Sequence, residues 1–132
     1  MPTIARFTGI ALLALGLAGG VAHAQLRIGQ PSGFTGSVAA GVKENTEGAM
    51  LYFDAINRQG GVHGQSVELI SVDDQFDPAK TVEAARDLIT RQHVLALFLN
   101  RGTPHAQGLL PLLAAHHVPL VAPSTGAMAL HE

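Results

Sequence analysis

The chain has 132 residues, 47% hydrophobic and 14% charged, with a formal net charge of -2, and it contains neither cysteine nor tryptophan. This balance lacks the basic footprint of a protein that grips nucleic acid or an anionic membrane, and 5% aromatic residues leave no platform for stacked bases. Without cysteine there is no disulfide, no thiol nucleophile and no lipid-modified cysteine at a processed amino terminus.

The first 24 residues read as a secretory signal. The amino terminus and Arg6 make a positive start, an apolar stretch runs from Phe7 to Val21, and Ala22-His23-Ala24 supplies a small-residue cleavage site, so Gln25 begins the mature chain. A membrane anchor is the alternative, but the stretch carries Gly16, Gly19 and Gly20 and falls short of the roughly 20 residues that span a bilayer. Removing the signal leaves 108 residues, room for one small domain. Export without an anchor points to the periplasm of a two-membrane bacterium.

Beyond the signal, "LRIG" (26–29) reads as a strand and "SVAAGVKENTEGAMLYFDAIN" (37–57) as a helix whose apolar stripe is Val42, Ala49, Met50, Phe53 and Ile56. "RQGG" stops that helix, because glycine takes the left-handed backbone that closes a helix end. "SVELISV" (66–72) is a second strand, rich in β-branched residues. In "DPAKTVEAARDLITRQ", Asp77 is the expected N-cap, Pro78 suits the first helical position, and Val82, Ala85, Leu88 and Ile89 form the buried face. "VLALFL" (94–99) shows no polar alternation, the pattern of a strand buried on both faces. Thr103-Pro104 repeats the cap-then-proline device and opens a helix with Leu109, Leu110 and Leu113 facing inward. "VPLVA" (118–122) is a fourth strand. Strands alternating with helices imply right-handed βαβ units: an α/β fold, a Rossmann-like parallel sheet with helices on both faces.

Several chemistries fail on spacing. In "GFTGSVAAGVKE", Gly33, Gly36 and Gly41 do not fit G-x-G-x-x-G, and Val42 stands where a Walker loop needs its lysine, so neither nucleotide site is present. Asp73, Asp74 and Asp77 could ligate a hard cation and serve a secreted metal-dependent hydrolase. The better reading gives each a local role, in which Asp73 and Asp74 end a strand and Asp77 caps a helix. His116 and His117 point about 100° apart on a helix, poor geometry for one metal, and suit a solvated helix end. No G-x-S-x-G elbow occurs, and nothing in the spacing pairs Ser124 with a histidine.

Open α/β sheets bind ligands beyond the carboxyl ends of their strands, where the strand order reverses. For an order 2-1-3-4 the crevice lies between the first and third strands, and "QPSGFTG", "NRGTP" and "APSTG" meet there. "NRGTP" sits at a helix N-terminus, whose unpaired N–H groups and dipole favour a carboxylate. Arg101 adds a full positive charge if it turns inward, and otherwise stands in solvent.

In order along the chain, "RIGQPSGFTG", "EGAMLYFDAINRQGGVHGQSVELISVDDQFDPAKTVEAARDLI", "NRGTP" and "VPLVAPSTGA" resemble the start of the periplasmic branched-chain amino-acid-binding proteins, the type I substrate-binding components of ABC importers. The most specific pieces are "AIN-x-x-GGV-x-G" and "DD-x-x-DP". The resemblance implies two Rossmann-like lobes closing on a small ligand, with no catalytic chemistry and no cofactor. It implies as partners a small amino acid or related carboxylate and an inner-membrane ABC permease, with the protein a monomer. A full member is roughly three times longer than the mature chain, so residues 25–132 correspond to part of the first lobe. A ligand-sensing receptor, or a regulator of amide metabolism, shares that lobe fold and is the alternative.

The resemblance also implies a site. Thr103 matches the residue that offers a backbone N–H and a hydroxyl to the ligand carboxylate. Ser124 matches the carbonyl that receives the ligand ammonium. Gly126 stands where the family usually has Thr, keeping the N–H without the hydroxyl, so either its neighbour Thr125 substitutes or the ligand differs. Gly41 lacks the aromatic side chain that often covers the ligand. Phe76 and Gly102 match two cysteines that form a disulfide in some members. Arg101 is unusual for a neutral amino-acid pocket and points to a ligand with extra negative charge or oxygen atoms.

Overall fold

A computed structural model of the protein describes residues 25–130. The signal sequence expected over residues 1–24 lies outside the described residues. Among the described residues no helix is long and apolar enough to cross a membrane.

The elements alternate as the sequence predicts: β1 (Leu26–Ser32), α1 (Ala39–Arg58), β2 (Val67–Asp73), α2 (Pro78–Thr90), β3 (Ala96–Phe98), α3 (Thr103–His116) and β4 (Leu120–Val121), then a 3-10 turn at Met128–Leu130. The four strands are parallel and ordered β2-β1-β3-β4. The connection from β1 to β2 runs one way along the sheet, while the two later crossovers run the other. Right-handed connections therefore put α1 on one face and α2 with α3 on the opposite one.

Packing follows that division. On the α2/α3 face, Leu88, Leu97 and Leu109 are fully buried and form the centre of a core with Ala85, Ile89, Val94, Leu112 and Leu113. Truncating one such leucine to alanine costs about 2–5 kcal/mol, through lost transfer energy and the cavity left behind. Gly29 lets α2 settle closely on β1: a β-carbon there would stand 3.1 Å from Leu88 Cδ1 and from Leu97 Cδ2. On the other face, Phe53 of α1 tilts against Phe98 of β3, with ring centroids 5.7 Å apart. Beside them the buried Gln30 amide donates to Thr46 Oγ1 and accepts from Ser71 Oγ, each at 2.9 Å, which ties β1 to α1 and β2.

The structure corrects the sequence reading in several places. α3 is capped by Gly102, at φ 102°, and Thr103 is the first helical residue, with no side-chain cap. Leu110 is exposed, and Leu112 takes the inward place beside Leu109 and Leu113. The run "VLALFL" is not buried on both faces, because β3 is three residues long and Leu95 is 58% exposed. Along α1 only Val42 is fully buried, while Ala49, Met50, Phe53 and Ile56 are half-buried. At α2 the expectation holds: Asp77 Oδ1 accepts from Ala79 N at 2.8 Å and Pro78 opens the helix, although Val82 is only partly buried.

Candidate functional site

The strand order reverses between β1 and β3, so the crevice opens at their carboxyl ends, between the first turns of α1 and α3. Two of the loops that meet there run side by side. Leu99 N donates to Val121 O, Ser124 N to Asn100 O at 2.8 Å, and Gly102 N to Ser124 O at 3.2 Å, so Arg101 and Ser124 pair as a parallel bridge beyond the regular strands. These bonds fix the backbone on both sides of Arg101. The Ser124 carbonyl, expected to face a ligand ammonium, already accepts one N–H and keeps its second lone pair.

This register brings two hydroxyls together. Thr103 Oγ1 and Thr125 Oγ1 lie 2.6 Å apart, both half-buried, and Thr125 Oγ1 also accepts from Ala127 N at 3.2 Å. Thr103 does not cap its own helix because its hydroxyl is spent on the neighbouring loop. The first turn of α3 still leaves N–H groups without intrahelical acceptors, a setting that stabilises a negative charge. Gly126 is exposed, and a β-carbon there would meet nothing within 4 Å. Thr125, and not residue 126, supplies the hydroxyl beside Thr103.

Arg101 turns toward the start of α1. A β-carbon on Gly41 would stand 3.3 Å from Arg101 Nη1 and 3.8 Å from Cζ, so the bare helix face at Gly41 makes room for the guanidinium. The side chain is half-buried and forms no ion pair; the ion pairs among the described residues are Arg27–Glu68 and Arg91–Asp87.

Two residues at this end of the sheet escaped the sequence reading. Asn100 is fully buried with neither amide atom bonded, and His105 is buried with both ring nitrogens unbonded. His105 stacks on Phe76 with ring centroids 4.4 Å apart. A β-carbon on Gly102 would come 2.5 Å from His105 Nδ1 and 3.1 Å from Phe76 Cε2, so glycine is required there for space as well as for its positive φ. Phe76 and Gly102, the pair matched to a bridge in some relatives, do adjoin; here stacked rings fill the place. The signal for this was faint: one aromatic residue in "DDQFDP" and a histidine two positions after Thr103.

The aspartates serve the backbone. Asp73 Oδ1 accepts from Phe34 N at 2.8 Å, Thr35 N at 3.2 Å and Gln75 N at 3.0 Å, and its Oδ2 accepts from Thr35 Oγ1 at 2.7 Å. The Thr35 hydroxyl is the largest influence holding the Asp73 carboxyl below its ordinary value; desolvation opposes it, and the backbone N–H groups of Gln75, Thr35 and Phe34 add to the lowering. Asp74 is buried, accepting from Phe76 N at 2.9 Å and Thr81 Oγ1 at 2.6 Å, and Asp77 caps α2. No group of three or more potential metal ligands occurs among the described residues. His116 and His117 are exposed at the end of α3, with His117 in the left-handed cap position.

Comparison with known proteins agrees with this architecture. A profile described as periplasmic binding protein matches residues 25–130. The Leu/Ile/Val-binding protein BraC3 of Rhizobium johnstonii is 38% identical over 69 residues, covering 52% of this chain and 19% of that protein. A possible leucine/isoleucine/valine-binding protein from Rhodopirellula baltica superposes with a TM-score of 0.79 at 29% identity, over 86% of this chain and 31% of that one. The solute-binding protein of an ABC transporter from Rhodopseudomonas palustris, solved with 3,4-dihydroxybenzoic acid, gives a TM-score of 0.65 at 26% identity, over 76% of this chain and 27% of that one. The chain spans about a fifth of the length of the curated relatives it matches. Members of this family are periplasmic solute-binding proteins and not enzymes. With its matched segment covering every described residue and its parallel sheet superposing on these neighbours, the chain belongs to the type I periplasmic binding proteins.

Proposed function

We propose that this protein is a periplasmic solute-binding component of an ABC importer, exported by a cleaved signal over residues 1–24, and that residues 25–132 form part of its first lobe. Its ligand is an amino acid or a related small carboxylate, delivered to an inner-membrane permease by a monomer that needs no cofactor. The observation that carries this reading is the Thr103–Thr125 hydroxyl pair at 2.6 Å, set at the start of α3 beside the reversal of strand order.

The chemistry runs from donor to donor. Ala127 N donates to Thr125 Oγ1, and either hydroxyl can be the donor in the Thr103–Thr125 bond; in this reading Thr125 donates to Thr103. That direction frees the Thr103 hydroxyl hydrogen, together with its N–H, for a ligand carboxylate. Hydrogen bonds arranged head to tail polarise one another, and a charged acceptor strengthens the last one. The second lone pair of the Ser124 carbonyl is left for a ligand ammonium. The named ligands of the relatives, branched-chain amino acids and an aromatic acid, share the carboxylate this hook would hold.

The test is a thermal-shift screen of the full gene product against amino acids, their amides and aromatic acids. A rise in Tm with at least one carboxylate, absent for its amide, is the expected result. A folded protein that responds to none of them, or responds equally to acid and amide, contradicts the reading.

A further inference from the structure

Arg101 is a permanent charge in an unusual position. Its main chain is pinned on both sides by bonds to Ser124, it is half-buried, and its guanidinium lies against the bare face of α1 at Gly41. A partly desolvated guanidinium is normally matched by a carboxylate, because its planar fork of donors is costly to leave unfilled. No carboxylate lies within 4 Å of it among the described residues. Asp73, which anchors the loop leading to α1, already accepts from four donors, and Asp74 and Asp77 are committed to Thr81 and to the cap of α2. Thr103, two residues further along the chain, is instead paired with Thr125 of the neighbouring loop, so the proposed carboxylate hook stands apart from Arg101.

Resting on the carboxylate-binding reading above, we propose that Arg101 is the specificity-determining residue of this site and that the ligand is a diacid. One carboxylate is held by Thr103 and Thr125, and the second forms a bidentate pair with Arg101 over Gly41. The glycine is part of the same device: any larger side chain at position 41 competes with the guanidinium for its place.

The experiment is calorimetric titration of the full gene product with matched acids: L-glutamate against L-glutamine, glutarate against valerate, and terephthalate against 4-methylbenzoate. The diacid of at least one pair should bind about ten- to hundredfold tighter than its partner, the range expected for one charge-assisted bidentate contact. In Arg101→Met this ratio should fall toward one. In Thr103→Ala both members should weaken and the ratio should persist, which separates the two anchors. A wild-type ratio near one, or a ratio that survives Arg101→Met, overturns the assignment to Arg101 and leaves carboxylate binding in place. If no acid of the panel binds, the diacid assignment and the underlying reading fall together.

Discussion

The Thr103 and Thr125 hydroxyls meet at 2.6 Å although 22 positions separate them in the chain. They meet because the loops after β3 and β4 continue the pairing of their strands, through Ser124 N on Asn100 O and Gly102 N on Ser124 O. The meeting of these two hydroxyls is thus a product of strand register.

The pair should behave as a unit. Thr125→Val removes the hydroxyl that orients Thr103 and should weaken binding of the best carboxylate about threefold to tenfold. Adding Thr103→Val should cost less than the sum of the two single changes, as expected for neighbours in one hydrogen-bond chain. A double-mutant cycle read by calorimetry checks this, and strict additivity would show two independent contacts.

Gly41 should report on Arg101 with opposite signs in stability and selectivity. Gly41→Ala lies in the first turn of α1, where alanine is favoured by about 0.5–1 kcal/mol, and only the mobile end of Arg101 must give way. Urea unfolding should therefore show a small gain, while titration shows a reduced preference for diacids. A loss of stability above about 1 kcal/mol would mean that the guanidinium is held too firmly to move.

Asp73 ties the β1–α1 loop to the end of β2, and its lowered pKa fixes the sign of the pH effect. A carboxyl whose folded pKa is depressed contributes stability at pH above its ordinary value, and that contribution is lost as pH falls through the folded pKa. Exchange protection of the Phe34 and Thr35 amides should persist into pH values where a free aspartate is already half-protonated, and then vanish. In Asp73→Asn it should be weak at neutral pH.

The segment 25–132 taken alone should fold poorly. Leu51, Tyr52, Leu95, Val121 and Met128 are exposed, apolar side chains that further chain would be needed to cover. Its thermal transition should be broad, with dye binding to exposed apolar surface before melting. A sharp cooperative transition would show that these residues suffice as a folding unit.

Topology was legible in the sequence because the alternation of β-branched runs with amphipathic helices leaves few right-handed arrangements, and the 2-1-3-4 order is the one found. The Asp77 cap was legible because its bonds are local. The start of α3 was misplaced by one residue because Gly102 caps through a positive φ, which leaves no side-chain signature, while Thr103 looks like a cap and bonds elsewhere. Leu110 was misassigned because "GLLPLLAA" is apolar all round and hides its period. Arg101 could be placed in a loop but not aimed, since its direction depends on the absence of a side chain 60 positions earlier, at Gly41. The stacking of His105 on Phe76 depends on contacts between distant segments, so its sign in the sequence was faint.

The most direct measurement is a crystal structure of the full gene product with its tightest-binding acid. A carboxylate oxygen is expected at about 2.5–3.0 Å from Thr103 Oγ1, the hydrogen-bond distance for a hydroxyl donor, with a second acidic group facing Arg101 across Gly41. A ligand bound elsewhere, with Thr103 and Thr125 still bonded only to each other, would contradict the carboxylate hook.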